Sequence, residues 1–170
     1  MIKQSSILAY SGSYDVRKSE RIVEEAWRAG KQTAFLSHSH KDSVLAKSLQ
    51  GFLQSKRWLV YIDWEDTSLP SNPNRETAKR IKDKITRFDW FLYLATANSA
   101  SSRWCPWEIG YADGVKDIDK IVIVPTCDSA GHNHGKEYLD LYRYVKVSQS
   151  GGYGLFFPNK SGMSLENIRR

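Results

Sequence analysis

Five short apolar runs alternate with segments of helical periodicity along this chain, and that alternation restricts the fold more than any other feature. The runs are Thr33-Ala34-Phe35-Leu36-Ser37, Trp58-Leu59-Val60-Tyr61-Ile62-Asp63, Trp90-Phe91-Leu92-Tyr93-Leu94-Ala95-Thr96, Ile121-Val122-Ile123-Val124-Pro125 and Tyr144-Val145-Lys146-Val147. They have strand length, and most are apolar nearly throughout, as strands covered on both faces are. Between them, Leu45, Leu49, Phe52 and Leu53 recur at helical spacing, as do Ala78, Ile81, Ile85 and Phe88, and a further helix is expected over 104–116. Ahead of the first strand, Ile22, Val23, Ala26 and Trp27 mark a helix over 16–29 that Gly30 caps.

Strands alternating with helices predict an α/β fold with a parallel sheet between two helical layers. With five strands, the expected architecture is a flavodoxin-like three-layer sandwich, a five-stranded parallel sheet in the order 2-1-3-4-5, plus one extra N-terminal helix. Residues 1–31 are read as an extension, loosely ordered over 1–15, residues 32–150 as the domain, and residues 151–170 as a glycine-bearing tail ending in a short helix. The length, 170 residues, suits one domain with a real core. The extension favours a natural stand-alone chain.

Charge and cysteine content narrow the function classes. Two cysteines, Cys105 and Cys127, are too few for a disulfide framework and favour a reducing, cytoplasmic setting. No apolar run has the ~20 residues of a membrane span, and the N-terminus lacks a signal-peptide core. The net charge of +6 suits anionic ligands such as nucleotides. The basic residues are nevertheless dispersed, and the one cluster (Arg75, Lys79, Arg80, Lys82, Lys84, Arg87) reads as the solvated face of an amphipathic helix, so nucleic acid is not the expected partner.

In the expected order, ligands bind beyond the C-terminal ends of strands 1 and 3, where the chain reverses direction. Residues 37–40 and 97–102 lie there, and the second group runs into Ser102-Arg103-Trp104-Cys105-Pro106-Trp107-Glu108-Ile109. Glu108 and Trp104 are four residues apart and share a helix face, so an acid that can hold a sugar hydroxyl stands beside a flat ring that can stack. The plain alternative is a helix-start carboxylate beside core aromatics. His38-Ser39-His40 and His132-Asn133-His134 each have metal-compatible spacing but lie on separate loops without a third ligand, so no metal is expected. Cys105 reads as a small buried residue, since no histidine is near in sequence to activate it. Asp63 invites comparison with a phospho-accepting aspartate, but the acidic pair and the post-strand-3 aspartate of such receivers are missing. No glycine-rich phosphate loop is present. The long loop 64–74, with Pro70 and Pro73, is a lid or contact surface by its length.

Three segments resemble the Toll/interleukin-1 receptor (TIR) domain. Phe35-Leu36-Ser37-His38-Ser39-His40-Lys41-Asp42 resembles its first box. Tyr61-Ile62-Asp63 and the following loop resemble the second strand and BB loop. Residues 102–109 resemble the Ser-x-Trp-Cys-x-x-Glu segment of enzymatic plant and bacterial members. The resemblance implies cleavage of NAD⁺ with Glu108 as the catalytic residue, Trp104 stacking on the nucleotide, and Ser39, His40, Trp64 and Glu65 lining the substrate site. It implies no cofactor, NAD⁺ being the substrate, and it implies TIR–TIR self-association and a separate effector that senses the product. Where some members have an arginine after strand 1, this chain offers His40 and Lys41. The alternative within the same family is a non-enzymatic TIR–TIR adaptor.

Overall fold

A computed structural model describes residues 1–10, 25–63, 74–134, 137–148, 152–157 and 162–168. Its strands are β1 (Ile2–Lys3), β2 (Gln32–Ser37), β3 (Trp58–Tyr61), β4 (Trp90–Ala95), β5 (Ile121–Cys127), β6 (Arg143–Val147), β7 (Tyr153–Phe156) and β8 (Met163–Ser164). The helices are α1 (Gln4–Leu8), α2 (Ser43–Ser55), α3 (Arg75–Arg87), α4 (Ala97–Ala100) and α5 (Cys105–Val115). The sheet runs β3-β2-β4-β5-β6-β7-β8, with β1 added beside β5. The pairs from β3 through β6 are parallel, whereas β6/β7 and β7/β8 are antiparallel.

The five apolar runs therefore lie side by side and parallel, and among the described residues the sheet also contains β1, β7 and β8, the last two forming an antiparallel end. β1 and β8 are two residues each, too short to carry a period, and Gly154 interrupts β7. In the tail, Gly154 and Gly162 are close-approach positions: a Cβ on Gly154 would lie 2.9 Å from the Met163 carbonyl oxygen, and one on Gly162 would lie 2.3 Å from the Phe156 ring. The expected terminal helix is instead β8 and a 3₁₀ turn at Leu165–Asn167. Likewise residues 2–8, read as loose, form β1 and α1, and Ile2 and Ile7 are buried in the core.

Alternation along each strand separates two cores, one on each sheet face. Ala34, Leu36, Leu92, Leu94, Val122 and Val124 face α2, where Leu45, Leu49, Phe52 and Leu53 meet them together with Ile2, Ile7, Leu155 and Leu165. Phe35, Phe91, Tyr93, Ile121 and Ile123 face α3 and α5, where Ile81, Ile85, Cys105, Ile109 and Ala112 cover them. The basic helix is thus amphipathic as expected. Asn74 starts it with a capping box, its Oδ1 accepting from the Glu76 and Thr77 amides at 2.8 and 3.0 Å.

Of the expected helix over 16–29, residues 25–28 are described and are helical, while residues 11–24 lie outside the described residues. Gly30 ends it at φ +63°, and the Lys31 amide donates to the Ala26 carbonyl while the Gly30 amide donates to that of Trp27. This is the Schellman arrangement, which favours glycine. Replacing Gly30 by Ala is expected to destabilise the protein by about 1 kcal/mol, because no other residue adopts that conformation without penalty. Denaturant unfolding of the two proteins checks this, and equal midpoints would contradict it.

Candidate active site at the strand ends

The chain from Ser102 to Ile109 is built to start a helix at the C-terminal edge of the sheet. Ser102 Oγ accepts from the amides of Trp104 and Cys105 at 3.1 and 3.3 Å. Pro106 occupies the first turn, where its missing N–H removes no helical bond. Cys105, Glu108, Ile109 and Ala112 then form the inward stripe of α5. Glu108 therefore occupies a core position and is only 3% exposed.

A buried carboxylate needs a partner. The Ser37 hydroxyl at the end of β2 supplies one, donating to Glu108 Oε2 at 2.6 Å. Asp63, just beyond β3, supplies the opposite influence. Burial first, and then the neighbouring Asp63 charge, push the Glu108 carboxyl from 4.5 up to about 8, against the Ser37 hydrogen bond. The dipole at the start of α5 also favours the anion, yet burial and like charge prevail. Cys105, beside it, has its thiol pushed up to about 12, chiefly by burial and then by Glu108, so it is a buried thiol and no nucleophile.

Asp63 also faces the segment after β2. Its Oδ2 lies 3.9 Å from Nε2 of His40, whose side chain is 75% exposed. The His38 and His40 rings lie nearly parallel, 6.3 Å apart. His38 is buried and its Nδ1 lies 3.1 Å from the Leu36 carbonyl. Burial, partly offset by Asp63, lowers its pKa from 6.5 and keeps the ring neutral at pH 7.

Of the residues expected to line the site, Glu108 and His40 meet around Asp63. Ser39 is buried but caps the 3₁₀ turn His40–Asp42, its Oγ accepting from the Lys41 amide at 3.4 Å. Asp42 is held by Thr96 and Asn98, whose side chains donate to its carboxylate at 2.5 and 2.7 Å, which ties the end of β2 to the end of β4. Trp104 is half-buried and meets Trp107 edge-on at 5.3 Å, one turn before Glu108. Trp64 and Glu65, with the loop 64–73, lie outside the described residues. The second histidine pair gathers on Asp128, with His132 Nδ1 at 3.1 Å and His134 Nε2 at 3.7 Å from its Oδ2. Among the described residues no group of three His, Cys, Asp or Glu side chains could hold a metal ion.

Sequence reasoning placed residues 37–40 at the strand ends but gave Ser37 and His38 no role, and it did not join Asp63 to this cluster. Their positions at strand C-termini were the available signal, but the contact between residue 63 and residue 108 is purely tertiary. A Ser37→Ala protein tests the first of these. The folded state holds the Glu108 proton to about pH 8, whereas the unfolded chain gives it up near 4.5. This group's contribution to stability therefore falls as pH rises through that window. Removing the Ser37 donor raises the folded pKa further, so the decline is expected to continue to higher pH. Unfolding free energies measured from pH 4 to 9 check this, and an unchanged slope above pH 8 would count against the Ser37–Glu108 pairing.

The family model for the TIR domain matches residues 34–152, and the chain belongs to the TIR domain family. It is similar to the "Probable 3' cyclic ADP-D-ribose synthase ThsB'" of Bacillus cereus (strain MSX-D12), at 33% identity over 135 residues that span 75% of this chain and 69% of the relative. Among the described residues, no helix is long and apolar enough to cross a membrane.

Proposed function

We propose that this chain cleaves the nicotinamide–ribose bond of NAD⁺ and releases nicotinamide with a cyclic ADP-ribose-type product, or linear ADP-ribose when water intervenes. The observation that carries this reading is the buried Glu108, hydrogen-bonded to Ser37 at the C-terminal edge of the sheet. The relative named as a cyclic ADP-ribose synthase supports the same chemistry.

The residues suit the reaction. Nicotinamide leaves as a neutral molecule, so no acid has to protonate it. What the reaction needs is an anion beside the ribosyl carbon, where positive charge develops as in glycoside cleavage. Glu108 supplies that anion. On its own, the buried carboxyl holds a proton at neutral pH. The cationic pyridinium ring of NAD⁺ brings a positive charge alongside it, which favours the ionised form. Trp104 stacks on a ring of the nucleotide, and His40, Lys41, Ser39, Trp64 and Glu65 complete the substrate contacts. No metal or cofactor takes part. The setting is cytoplasmic immune signalling, in which TIR–TIR self-association assembles the active form and a separate effector senses the product.

Mass spectrometry of the products formed from NAD⁺ tests this reading. Nicotinamide together with cyclic or linear ADP-ribose is expected. A protein that consumes no NAD⁺ across a wide concentration range, while self-associating, would replace it with the adaptor reading.

A further inference from the structure

The cluster contains more acceptors than the cleavage step uses. Among the described residues, Asp63 Oδ1 is buried and has no hydrogen-bond partner, and the same is true of His38 Nε2. A carbonyl can only accept, so His38 Nδ1 carries the ring proton toward Leu36, and Nε2 presents a bare lone pair. The Ser37 hydroxyl is committed to Glu108. Two buried acceptors that lack donors among the described residues are unfavourable. They suit a ligand that brings hydroxyl groups.

We propose that Asp63 is a second catalytic residue of this site, the base whose Oδ1 receives the hydroxyl that attacks the ribosyl carbon. The proposal rests on the NAD⁺ reading above. The two carboxylates then divide the work. The C–N bond breaks and its electron pair leaves with nicotinamide, while Glu108 stabilises the positive ribosyl carbon. A lone pair of the acceptor hydroxyl forms the new C–O bond, and that hydroxyl's proton passes to Asp63. The carboxyl then releases that proton to solvent past His40, whose Nε2 lies 3.9 Å from Oδ2 and whose side chain is 75% exposed. The balance closes: NAD⁺, with one positive charge on its pyridinium ring, gives neutral nicotinamide, a cyclic ADP-ribose-type product and one proton.

His38 serves as a positioning residue. Its Nε2 accepts a neighbouring ribose hydroxyl and so helps choose which hydroxyl faces Asp63. Glu108 is less suited to the base role, because its Oε2 is already engaged by Ser37. Positioned general bases contribute about 10²–10⁴-fold. Without that contribution the acceptor hydroxyl competes poorly with water for the same carbon.

The test compares the parent with Asp63→Asn and Asp63→Glu in two assays, nicotinamide release and the ratio of cyclic to linear product, with methanol added as a competing acceptor. For Asp63→Asn, the cyclic-to-linear ratio, taken per nicotinamide released, is expected to fall at least tenfold while the methyl adduct grows, as loss of a base of that strength implies. Asp63→Glu is expected to recover part of the cyclic product, a recovery that a merely structural role does not produce. An Asp63→Asn protein that turns over NAD⁺ with an unchanged product ratio would overturn the Asp63 assignment alone. A folded parent that turns over no NAD⁺ would overturn the underlying reading as well. Asp63→Asn removes a buried like charge next to Glu108, so it is expected to fold; should it not, the Asp63→Glu ratio decides the same question.

Discussion

Replacing Glu108 by Gln is expected to reduce nicotinamide release from NAD⁺ by about 10³-fold or more, because it deletes the buried anion that faces developing positive charge. The substitution is nearly isosteric, and a Gln side-chain oxygen can still accept from the Ser37 hydroxyl that now lies 2.6 Å from Oε2. Loss of activity is therefore expected without loss of fold. Stability should move the other way. In the parent, the folded state keeps the Glu108 proton up to about pH 8 and the unfolded state releases it near 4.5. At pH 8 the carboxyl thus opposes folding, by an amount on the order of a few kcal/mol, and Gln removes this penalty. The variant should match the parent near pH 4 and melt above it at pH 8. A variant that is as active as the parent would remove Glu108 from the chemistry. One that is inactive but melts far below the parent at pH 8 would make the inactivity a folding defect.

Deleting residues 1–8 is expected to lower the melting temperature by roughly 10–20 °C. The deletion removes β1 from beside β5 and strips Ile2 and Ile7 from the core against α2. Each buried isoleucine contributes about 1.5–3 kcal/mol by area, and the faces they leave exposed add to the loss. A total of roughly 5 kcal/mol is a large part of the ~5–15 kcal/mol by which domains are stable. At this chain length it converts to the stated shift. The milder Ile7→Ala should destabilise by about 2–5 kcal/mol. A truncated protein melting within about 3 °C of the parent would mean that the segment does not contribute to the fold in solution. The family match begins at residue 34, so this part of the core lies outside it.

The sheet was largely legible because its central strands are covered on both faces and so appear as unbroken apolar runs, Trp90–Ala95 most plainly. The chain ends were not. β1 and β8 are two residues each, too short to carry any periodicity, and they exist because an existing strand edge recruits them. β7 contains Gly154, which argues against a strand until Met163 is seen to approach its backbone. The site divides in the same way. Glu108 could be singled out from its place after strand 3 and its spacing from Trp104. That it lies on the inward stripe of a helix, between Cys105 and Ala112, could be counted off the sequence, but its hydroxyl partner and its charged neighbour arrive from two other strand ends. Asp63 was visible as a strand-terminal acid and was weighed only as a phosphate acceptor, because nothing in its own neighbourhood points to residue 108.

The attachment of β1 to the far half of β5 also sets an order of events during synthesis. Gln4 Nε2 donates to Thr126 Oγ1 at 3.2 Å across a separation of 122 residues. At ribosomal rates of ~5–20 residues per second, residues 2–8 leave the ribosome roughly 6–25 s before the strand they pair with. Contacts of such long range close late in folding. For that interval Ile2 and Ile7 are apolar side chains without a core, and β5 lacks the neighbour at its C-terminal half. Closing this edge is then the return of residues 2–8 to a strand made after them, which leaves their apolar side chains open to chaperones and to neighbouring nascent chains until it happens.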